Sequence, residues 1–251
     1  MAILVFQHSP TEGPGRLGVT LRDHAQALDV RHLYRPESKT NPHVPKDFDG
    51  IDAVVSLGGP MNVGDAAHGW MKPELAFLKA AHDRKMPLVG ICLGAQLIAK
   101  ALGGEVGPMD QGGERRAEWG MGVVKQHPIA NTETMLAGVP WTAWQFHAHG
   151  QEVKAPPAGA NVLQFSALCK VQSFRVGLRT YGFQYHFECD LPLIEGYLRS
   201  RDPQIALAGI TDVEAGIARA KSVYPDYARV SERLCVNLVE YLFPVTRRIV
   251  A

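Results

Sequence analysis

One cysteine stands in a sequence context that is typical of a nucleophile. Residues 90–94 read Gly-Ile-Cys-Leu-Gly, with an apolar run before them and a helix-like run after them. This is the glycine spacing of a nucleophile elbow, in which a strand turns so sharply into a helix that the central side chain is exposed. At a helix N-terminus, free backbone N–H groups and the helix dipole favour the thiolate form of a cysteine. Cys92 is therefore a candidate nucleophile, although the pentapeptide alone fits a buried cysteine between packing glycines equally well.

A cysteine nucleophile needs a base, and the segment Tyr185-His186-Phe187-Glu188 offers one. The segment ends the strand-like run TYGFQY, and a two-residue step along an extended chain puts His186 and Glu188 on the same face. Glu188 can then orient the imidazole. The alternative is a surface histidine beside a surface acid, which the preceding apolar strand disfavours.

A third strand-like run ends in Leu57-Gly58-Gly59-Pro60, where consecutive glycines can present a backbone N–H to a ligand. With the N–H of Leu93, directly after the cysteine, the N–H of Gly59 is predicted to receive the negative oxygen of a tetrahedral intermediate. An ordinary turn is the alternative for this segment alone. Ligands of open α/β sheets bind beyond the carboxyl ends of the strands, so we expect all three segments to meet there.

The elements that must position these residues alternate along the first part of the chain, as is typical of a parallel sheet covered by helices. The predicted strands span residues 2–6, 29–34, 52–57 and 87–91. The predicted helices between them span residues 17–28, 73–85 and 93–102. From residue 117 shorter β-like pieces follow, two of them joined by a turn at Gly177. After Pro192 the chain turns helical, with a closing helix predicted over 227–243 and ended by Pro244.

Composition excludes several classes of protein. The 251 residues, 46% of them hydrophobic, fit a single domain over 1–251 in which 190–251 form a helical C-terminal extension. The net charge of +1, without a basic block or an acidic tail, argues against a nucleic-acid partner. The sequence contains no run of eighteen apolar residues that could span a membrane. The absence of a signal-like start favours a cytoplasmic protein. The four cysteines are too dispersed for a CxxC zinc site and are expected to be reduced.

Together these motifs resemble the class I glutamine amidotransferase family, whose stand-alone members are similar to the glutaminase part of GMP synthase. Besides GICLGAQLIAKALGG and YGFQYHFE, the stretches SLGGPMNV, AEWGMGVV, HAHGQEVKAPPAGANVL and VQSFRVG occur in the family's order. The segment FQHSPTEGPGRLG resembles the opening of the stand-alone members. The resemblance covers most of the chain. It implies a three-layer flavodoxin-like α/β domain with a mostly parallel central sheet, helices on both faces and smaller antiparallel strands.

The resemblance also implies a mechanism. Cys92 attacks the side-chain amide of glutamine, and ammonia leaves after protonation by His186. Water activated by the same histidine then releases glutamate from a γ-glutamyl thioester. Glu188 orients His186, and the N–H groups of Gly59 and Leu93 form the oxyanion hole. No cofactor is implied.

Recognition of the substrate involves three further positions. Gln96 matches a family position that contacts the bound glutamine, and it lies one helical turn past Cys92. Where many members carry an acid two positions after His149, this chain has Gln151, and there the family binds the α-amino end of glutamine. Because a neutral amide offers only a hydrogen bond, another γ-glutamyl compound stays open as the substrate. His147 and His149 form an H-x-H pair, but no third ligand with suitable spacing stands near them in the sequence, so no metal site is predicted.

Several functions stay open at this stage. The chain lacks a synthetase domain, so either a separate synthetase subunit takes the ammonia or the enzyme hydrolyses γ-glutamyl peptides without an acceptor. An α/β-hydrolase of the dienelactone-hydrolase type also uses a G-x-C-x-G elbow, but there the acid and the histidine follow much further along, unlike the H-x-E spacing here. A non-catalytic binding or regulatory protein on the same fold is the non-enzymatic alternative. The presence of Cys92, His186 and Glu188 argues against it.

Overall fold

The computed structural model of the chain describes residues 2–39, 42–200 and 202–243, so the predicted helix stop at Pro244 lies outside the described residues. The strands are β1 (Ala2–Gln7), β2 (Leu28–His32), β3 (Ile51–Ser56), β4 (Leu88–Ile91), β5 (Glu105–Pro108), β6 (Asp110–Gln111), β7 (Glu114–Arg115), β8 (Glu118–Gln126), β9 (Thr142–His149), β10 (Gln151–Ala155), β11 (Asn161–Phe165), β12 (Ser173–Val176) and β13 (Thr180–Phe183). The α-helices are α1 (Gly15–Asp23), α2 (Met71–Asp83), α3 (Leu93–Ala101), α4 (Leu191–Arg199), α5 (Gln204–Leu207) and α6 (Val213–Asn237). Two 3₁₀ helices, Pro128–Thr132 and Thr134–Leu136, precede β9, and a π-helix, Leu238–Leu242, continues α6.

A mixed sheet is the centre of the fold. Among the described residues it has nine strands in the order β2-β1-β3-β4-β13-β12-β11-β8-β9. The strands from β2 to β13 in this order run parallel, and the sheet continues beyond β13 in antiparallel strands. Strand β5 pairs with β10 and β6 with β7, as smaller antiparallel strands. The predicted flavodoxin-like arrangement is confirmed.

Helices cover both faces of the sheet, because successive side chains of a strand point to opposite faces. Ile3 and Val5 of β1 belong to an apolar cluster that includes residues of α1 and α6. Leu4 and Phe6, which alternate with them, belong to a second cluster with residues of α2 and α3. All four side chains are at most 1% exposed, and burial of each contributes about 1.5–3 kcal/mol. The parallel part of the sheet therefore forms the middle of three layers.

The first four strands and the second and third helices lie close to their predicted positions. The first helix ends at Asp23 instead of residue 28, and the predicted start of the closing helix is also wrong. Helix α6 begins at Val213 instead of residue 227, and the side chain of Asp212 caps its first turn. The helix continues through Pro225, which lacks a backbone N–H for the helical ladder. Ile217 and Tyr227, on either side of this proline, are both buried in one apolar cluster. This packing outweighs the local preference of proline to end a helix.

The segment after residue 190 packs on the rest of the fold. Helix α6 contacts α1, α4 and β9, so it covers one face of the sheet beside the first helix. None of the described helices combines the length and the apolar character needed to cross a membrane.

Candidate active site

Cys92 lies on the sharp turn between β4 and α3. Its backbone has φ 51° and ψ −108°, a conformation that is uncommon for a residue with a side chain. A Cβ on Gly90 would lie 2.5 Å from the carbonyl carbon of Gly94, and a Cβ on Gly94 would lie 1.9 Å from the carbonyl oxygen of Ser56. Neither position has room for a side chain. The two glycines thus permit the strained turn, which has the geometry of a nucleophile elbow.

The sulfur of Cys92 borders a narrow cleft at the carboxyl ends of the parallel strands. The residue is 5% exposed, and its Sγ lies 3.8 Å from the carbonyl oxygen of Ala148. The side-chain amide of Gln184 donates to the same sulfur over 3.7 Å. Cys92 is therefore shielded by the protein but open to a small molecule that enters the cleft.

His186 and Glu188 form a buried pair at this cleft. The Nδ1 atom of His186 lies 2.7 Å from Oε1 of Glu188, which leaves Nε2 for the other side of the ring. Burial disfavours the imidazolium, but the charges of Glu188 and Cys92 outweigh burial and raise the pKa of His186 well above its ordinary value. The hydrogen bond between Cys92 and His186 acts in the same direction. The structure thus brings together the three residues that the sequence assigns to nucleophile, base and orienting acid.

Helices α6 and α1 hold the backbone of the segment 186–189. The hydroxyl of Tyr227 donates to the carbonyl oxygens of His186 and Cys189, both over 2.9 Å. Ser231, one turn further along α6, donates to the carbonyl of Phe187. The N–H of Arg16 in α1 donates to the carbonyl oxygen of Glu188 over 2.8 Å. Four consecutive carbonyls are thus satisfied by two helices that lie far from this segment in the sequence.

The predicted oxyanion-hole residues lie next to each other. A Cβ on Gly59 would be 2.8 Å from Cδ2 of Leu93, and Gly59 borders the cleft. Within the described part of the chain, neither residue's backbone N–H has a protein acceptor. Both donors are therefore available to a bound oxygen atom.

A second buried pair, His8 and Glu74, lies behind the oxyanion-hole segment and escaped the sequence analysis. Nε2 of His8 is 2.9 Å from Oε2 of Glu74, and the hydroxyl of Ser56 donates to Oε1 of the same carboxylate over 2.8 Å. Burial opposes the charge of His8, but Glu74 more than offsets it and raises the pKa of His8. All three side chains are fully buried.

The other ring nitrogen of His8 orients the peptide that leads into Gly59. Nδ1 lies 3.1 Å from the carbonyl oxygen of Leu57 and 3.2 Å from that of Gly58. Because a carbonyl can only accept, Nδ1 must donate. The described peptide bonds are all trans, so the N–H of Gly59 points opposite to the carbonyl of Gly58. His8 therefore holds the carbonyls of Leu57 and Gly58 on its own side of the segment, and the N–H of Gly59 points to the opposite side.

The residues predicted to bind the substrate also come together at the cleft. The amide nitrogen of Gln96 donates to the carbonyl oxygen of Gln151 and to Oε1 of Gln184, each over 3.1 Å. The side-chain oxygen of Gln151 accepts from the N–H of Val63 over 3.2 Å. Nδ1 of His149 donates to the carbonyl oxygen of Gln151 over 3.0 Å. Gln184 was not predicted from the sequence, although it lies inside the motif that contains His186.

Glu118, which the sequence spacing does not associate with His147 and His149, lies beside both of them. Glu118 pairs with His149 across β8 and β9, and its Oε2 lies 3.1 Å from Nε2 of His149 and 3.7 Å from Nδ1 of His147. Two imidazoles and a carboxylate suit Zn²⁺ or Fe²⁺. However, Glu118 also accepts hydrogen bonds from Ser166 and Gln172, so its carboxylate is satisfied by protein donors.

Charge and burial have opposite effects on the pKa values of Glu118 and His147. Burial opposes ionisation of Glu118, but His147 and His149 outweigh it and lower the pKa of the carboxyl to about 2. Burial lowers the pKa of His147 to about 4. Glu118 is thus an anion and His147 a neutral imidazole at neutral pH.

Glu12 is a further acid at the cleft that the sequence analysis did not single out. One carboxylate oxygen of Glu12 would lie 2.3 Å from a Cβ on Gly58, and Cε1 of His186 would lie 2.8 Å from the same point. The carboxylate is therefore beside the imidazole. Burial raises the pKa of Glu12, and the charge of His186 opposes this rise. The segment FQHSPTEGPGRLG contains Glu12, but no local signal indicated that its side chain enters the cleft.

Known proteins resemble this chain in sequence. The family model described as "Glutamine amidotransferase class-I" matches residues 21–193. A glutamine-hydrolysing GMP synthase subunit of Saccharolobus solfataricus is 32% identical over 171 residues, which cover 66% of this chain and 83% of that protein. The protein of the same name from Archaeoglobus fulgidus is 36% identical over 155 residues, which cover 61% of this chain and 73% of that protein.

Solved structures share the fold. A glutamine amidotransferase from Thermotoga maritima superimposes with a TM-score of 0.78 at 21% identity, covering 96% of this chain and 98% of that one. A glutamine amidotransferase from Methylobacillus flagellatus gives a TM-score of 0.74 at 24% identity, with 96% and 95% covered. At these identities the two structures establish similarity of fold.

Proposed function

Because the chain belongs to the class I glutamine amidotransferase family, we propose that it is a cysteine-dependent amidase that hydrolyses the side-chain amide of glutamine or of a related γ-glutamyl compound. One observation carries the proposal. A strained elbow presents Cys92 to a cleft beside the buried pair of His186 and Glu188. This is the arrangement that covalent acyl transfer requires, namely a nucleophile, a base and a group that orients the base.

In the acylation step, the Cys92 thiolate attacks the carbonyl carbon of the amide. The oxygen becomes negative and is bound by the N–H groups of Gly59 and Leu93. His186, as imidazolium, gives its proton to the amide nitrogen, the C–N bond breaks and the amine leaves. A γ-glutamyl thioester remains on Cys92.

In the deacylation step, the neutral His186 accepts a proton from water, and the resulting hydroxide attacks the thioester. The C–S bond breaks, which releases glutamate and returns Cys92 as thiolate beside an imidazolium. Glu188 stabilises the imidazolium in both steps and keeps Nε2 directed at the reacting atoms. Gln96, His149 and Gln151 form the wall that binds the γ-glutamyl part.

We further propose that a separate synthetase subunit receives the ammonia, as the names of the related GMP synthase subunits suggest. Turnover of glutamine, measured with and without candidate synthetase subunits, tests this step. A rise on mixing supports a docked acceptor. Unchanged turnover instead supports the alternative of a γ-glutamyl hydrolase that needs no acceptor.

The amidase itself is tested with an electrophilic glutamine analogue, a chloroketone, followed by the mass of the intact chain. We expect one covalent adduct on the natural chain and on the control Cys169→Ser, and none on Cys92→Ser. Glutamate release from glutamine should be lost in Cys92→Ser as well. If the adduct forms equally on Cys92→Ser, the assignment of the nucleophile is wrong. If no adduct forms and no amide is hydrolysed, a non-catalytic binding protein becomes the better description.

A further inference from the structure

The two ends of the cleft differ in their chemistry, and the difference bears on the leaving group. This inference rests on the proposed function. In amide hydrolysis the general acid must reach the leaving nitrogen, so the leaving group lies on the His186 side of Cys92. Gln184 also contacts the sulfur of Cys92, and its side chain accepts from Gln96, which donates in turn to the backbone carbonyl of Gln151. The acyl part of the substrate therefore lies towards Gln96, and the leaving group towards His186.

Glu12 occupies the leaving-group side. Its carboxylate lies next to Cε1 of His186, the carbon that joins the two ring nitrogens. No hydrogen bond or ion pair within the described residues ties this carboxylate to a lysine or arginine. Its raised pKa reflects burial that the charge of His186 offsets only in part. A second positive charge, carried by a ligand, would stabilise the carboxylate further.

Tyr197 adds a polar group at the same place. Its ring lies 5.8 Å from the ring of His186, and it borders the cleft with Glu12. The hydroxyl is buried and lies close enough to the Glu12 carboxylate to stabilise its charge by a hydrogen bond. Tyr197 thus favours the ionised form of Glu12, which a cationic ligand group would contact.

The remaining charge of the cleft has the same sign. Among the described residues that line it, Asp202 is the other carboxylate, and neither a lysine nor an arginine is present. Low-dielectric walls lined by one sign of charge favour ligands of the opposite sign. A leaving group that carried a carboxylate would meet Glu12 as a like charge.

We propose that Glu12 and Tyr197 form a leaving-group subsite that selects γ-glutamyl amides whose leaving amine carries a second, positively charged amino group. Hydrolysis of such an amide by one water gives glutamate and the free diamine, with the proton transfers already assigned to His186. The subsite disfavours γ-glutamyl peptides, because the amino acid that leaves from them bears a carboxylate. Glutamine, whose leaving group is ammonia, stays a substrate.

Three substrates of equal length test the subsite: the γ-glutamyl amides of 1,4-diaminobutane, of butylamine and of 4-aminobutanoate. For the natural chain we expect kcat/KM to fall in this order. For Glu12→Gln, which also removes a charge beside His186, we expect the ratio of kcat/KM for the cationic amide to kcat/KM for the butylamide to fall about 10- to 100-fold, the range of one charge-assisted hydrogen bond. Glu12→Asp should retain part of the preference. Glu105→Gln, an exposed acid outside the cleft, is the matched control.

The outcomes separate this subsite from the function on which it rests. If the three amides react at similar rates, or if Glu12→Gln slows all of them by one common factor, the subsite is wrong while the amidase stands. If none of the amides is hydrolysed, the free amines are tested as protectants of Cys92 against the chloroketone. Protection by 1,4-diaminobutane that exceeds protection by butylamine and is lost in Glu12→Gln supports the subsite. Equal protection by the two amines contradicts it.

Discussion

At the scale of single residues, three buried histidines around the cleft are each paired with a carboxylate. His186 pairs with Glu188, His8 with Glu74 and His149 with Glu118. Removing one member of such a pair leaves an uncompensated buried charge and costs about 3–5 kcal/mol. The pairs differ in role. The first adjoins the proposed nucleophile, and the second orients the backbone of the proposed oxyanion hole. The third contains His149 of the wall that we propose binds the substrate.

The contributions of the two ring nitrogens of His8 can be tested separately. In His8→Asn the side-chain amide takes the place of Nδ1 and can still donate to the carbonyls of Leu57 and Gly58. In His8→Gln the amide reaches the position of Nε2 and loses those bonds. We expect kcat of His8→Gln to fall about tenfold or more below that of His8→Asn, with a similar KM, because misorientation of the Gly59 N–H weakens binding of the oxyanion.

Steady-state kinetics of the two variants on glutamine measures this difference, with thermal unfolding as the check on stability. A role limited to stability would lower the melting temperature of both variants and leave kcat per folded molecule equal. Equal kcat values for the two variants would therefore contradict an orienting role for His8.

At the scale of elements, helix α6 supports the backbone of residues 186–189, the catalytic segment. Cys92 directly follows the end of β4 at Ile91, whereas Gly59 and His186 each lie three residues beyond the end of a strand, β3 and β13 respectively. The residues that follow β13 need partners for their backbone carbonyls. Tyr227 and Ser231 of α6 supply these partners.

Removal of the Tyr227 hydroxyl tests whether α6 supports the catalytic segment. In Tyr227→Phe the carbonyls of His186 and Cys189 lose a shared donor in a fully buried place. We expect the free energy of unfolding to fall by about 1–3 kcal/mol and kcat to fall, with a smaller change in KM. Urea unfolding and glutaminase kinetics measure the two effects. Tyr241→Phe, at a position that is 57% exposed, should leave both unchanged. If Tyr227→Phe behaves like this control, α6 covers the sheet without bracing the catalytic segment.

At the scale of the whole molecule, the buried histidines make stability depend on pH in two directions. His147 titrates with a pKa of about 4 when folded and near 6.5 when unfolded. Between these values the unfolded chain binds a proton that the folded chain does not, so stability falls as pH falls. His8 and His186 have raised pKa values, so their contribution is present below about pH 6.5 and is lost as pH rises through the folded values.

We therefore expect the free energy of unfolding to be greatest near neutral pH and to fall on both sides. His147 alone contributes a fall of about 3 kcal/mol between pH 6.5 and pH 4. Urea unfolding at several pH values measures this change, and His147→Gln should flatten the acid side without altering the alkaline side. An unchanged acid slope in this variant would show that His147 does not stay neutral in the folded protein.

The sequence by itself determined the features that depend on neighbouring residues. Glycines at 90 and 94 mark the elbow because only a residue without a side chain fits those positions, and a two-residue step suffices to align His186 with Glu188. The alternation of apolar strands and helical stretches likewise predicts the layered sheet. The spacing of apolar residues along each element shows which of its faces is buried. The start of α6 was missed because the predicted helix rested on apolar residues near its C-terminal end, whereas packing of Ile217 and Tyr227, on either side of Pro225, extends the helix back to Val213.

The tertiary structure alone decided which distant side chains meet. Glu118 reaches His149 through the register between β8 and β9, and Glu74 reaches His8 because α2 packs on the same face of the sheet as Leu4 and Phe6 of β1. Glu12 enters the cleft through the course of the loop after β1. None of these contacts leaves a periodic or spacing signal in the chain. Their physical cause is strand order and register, which are set by the packing of the whole core rather than by any segment alone.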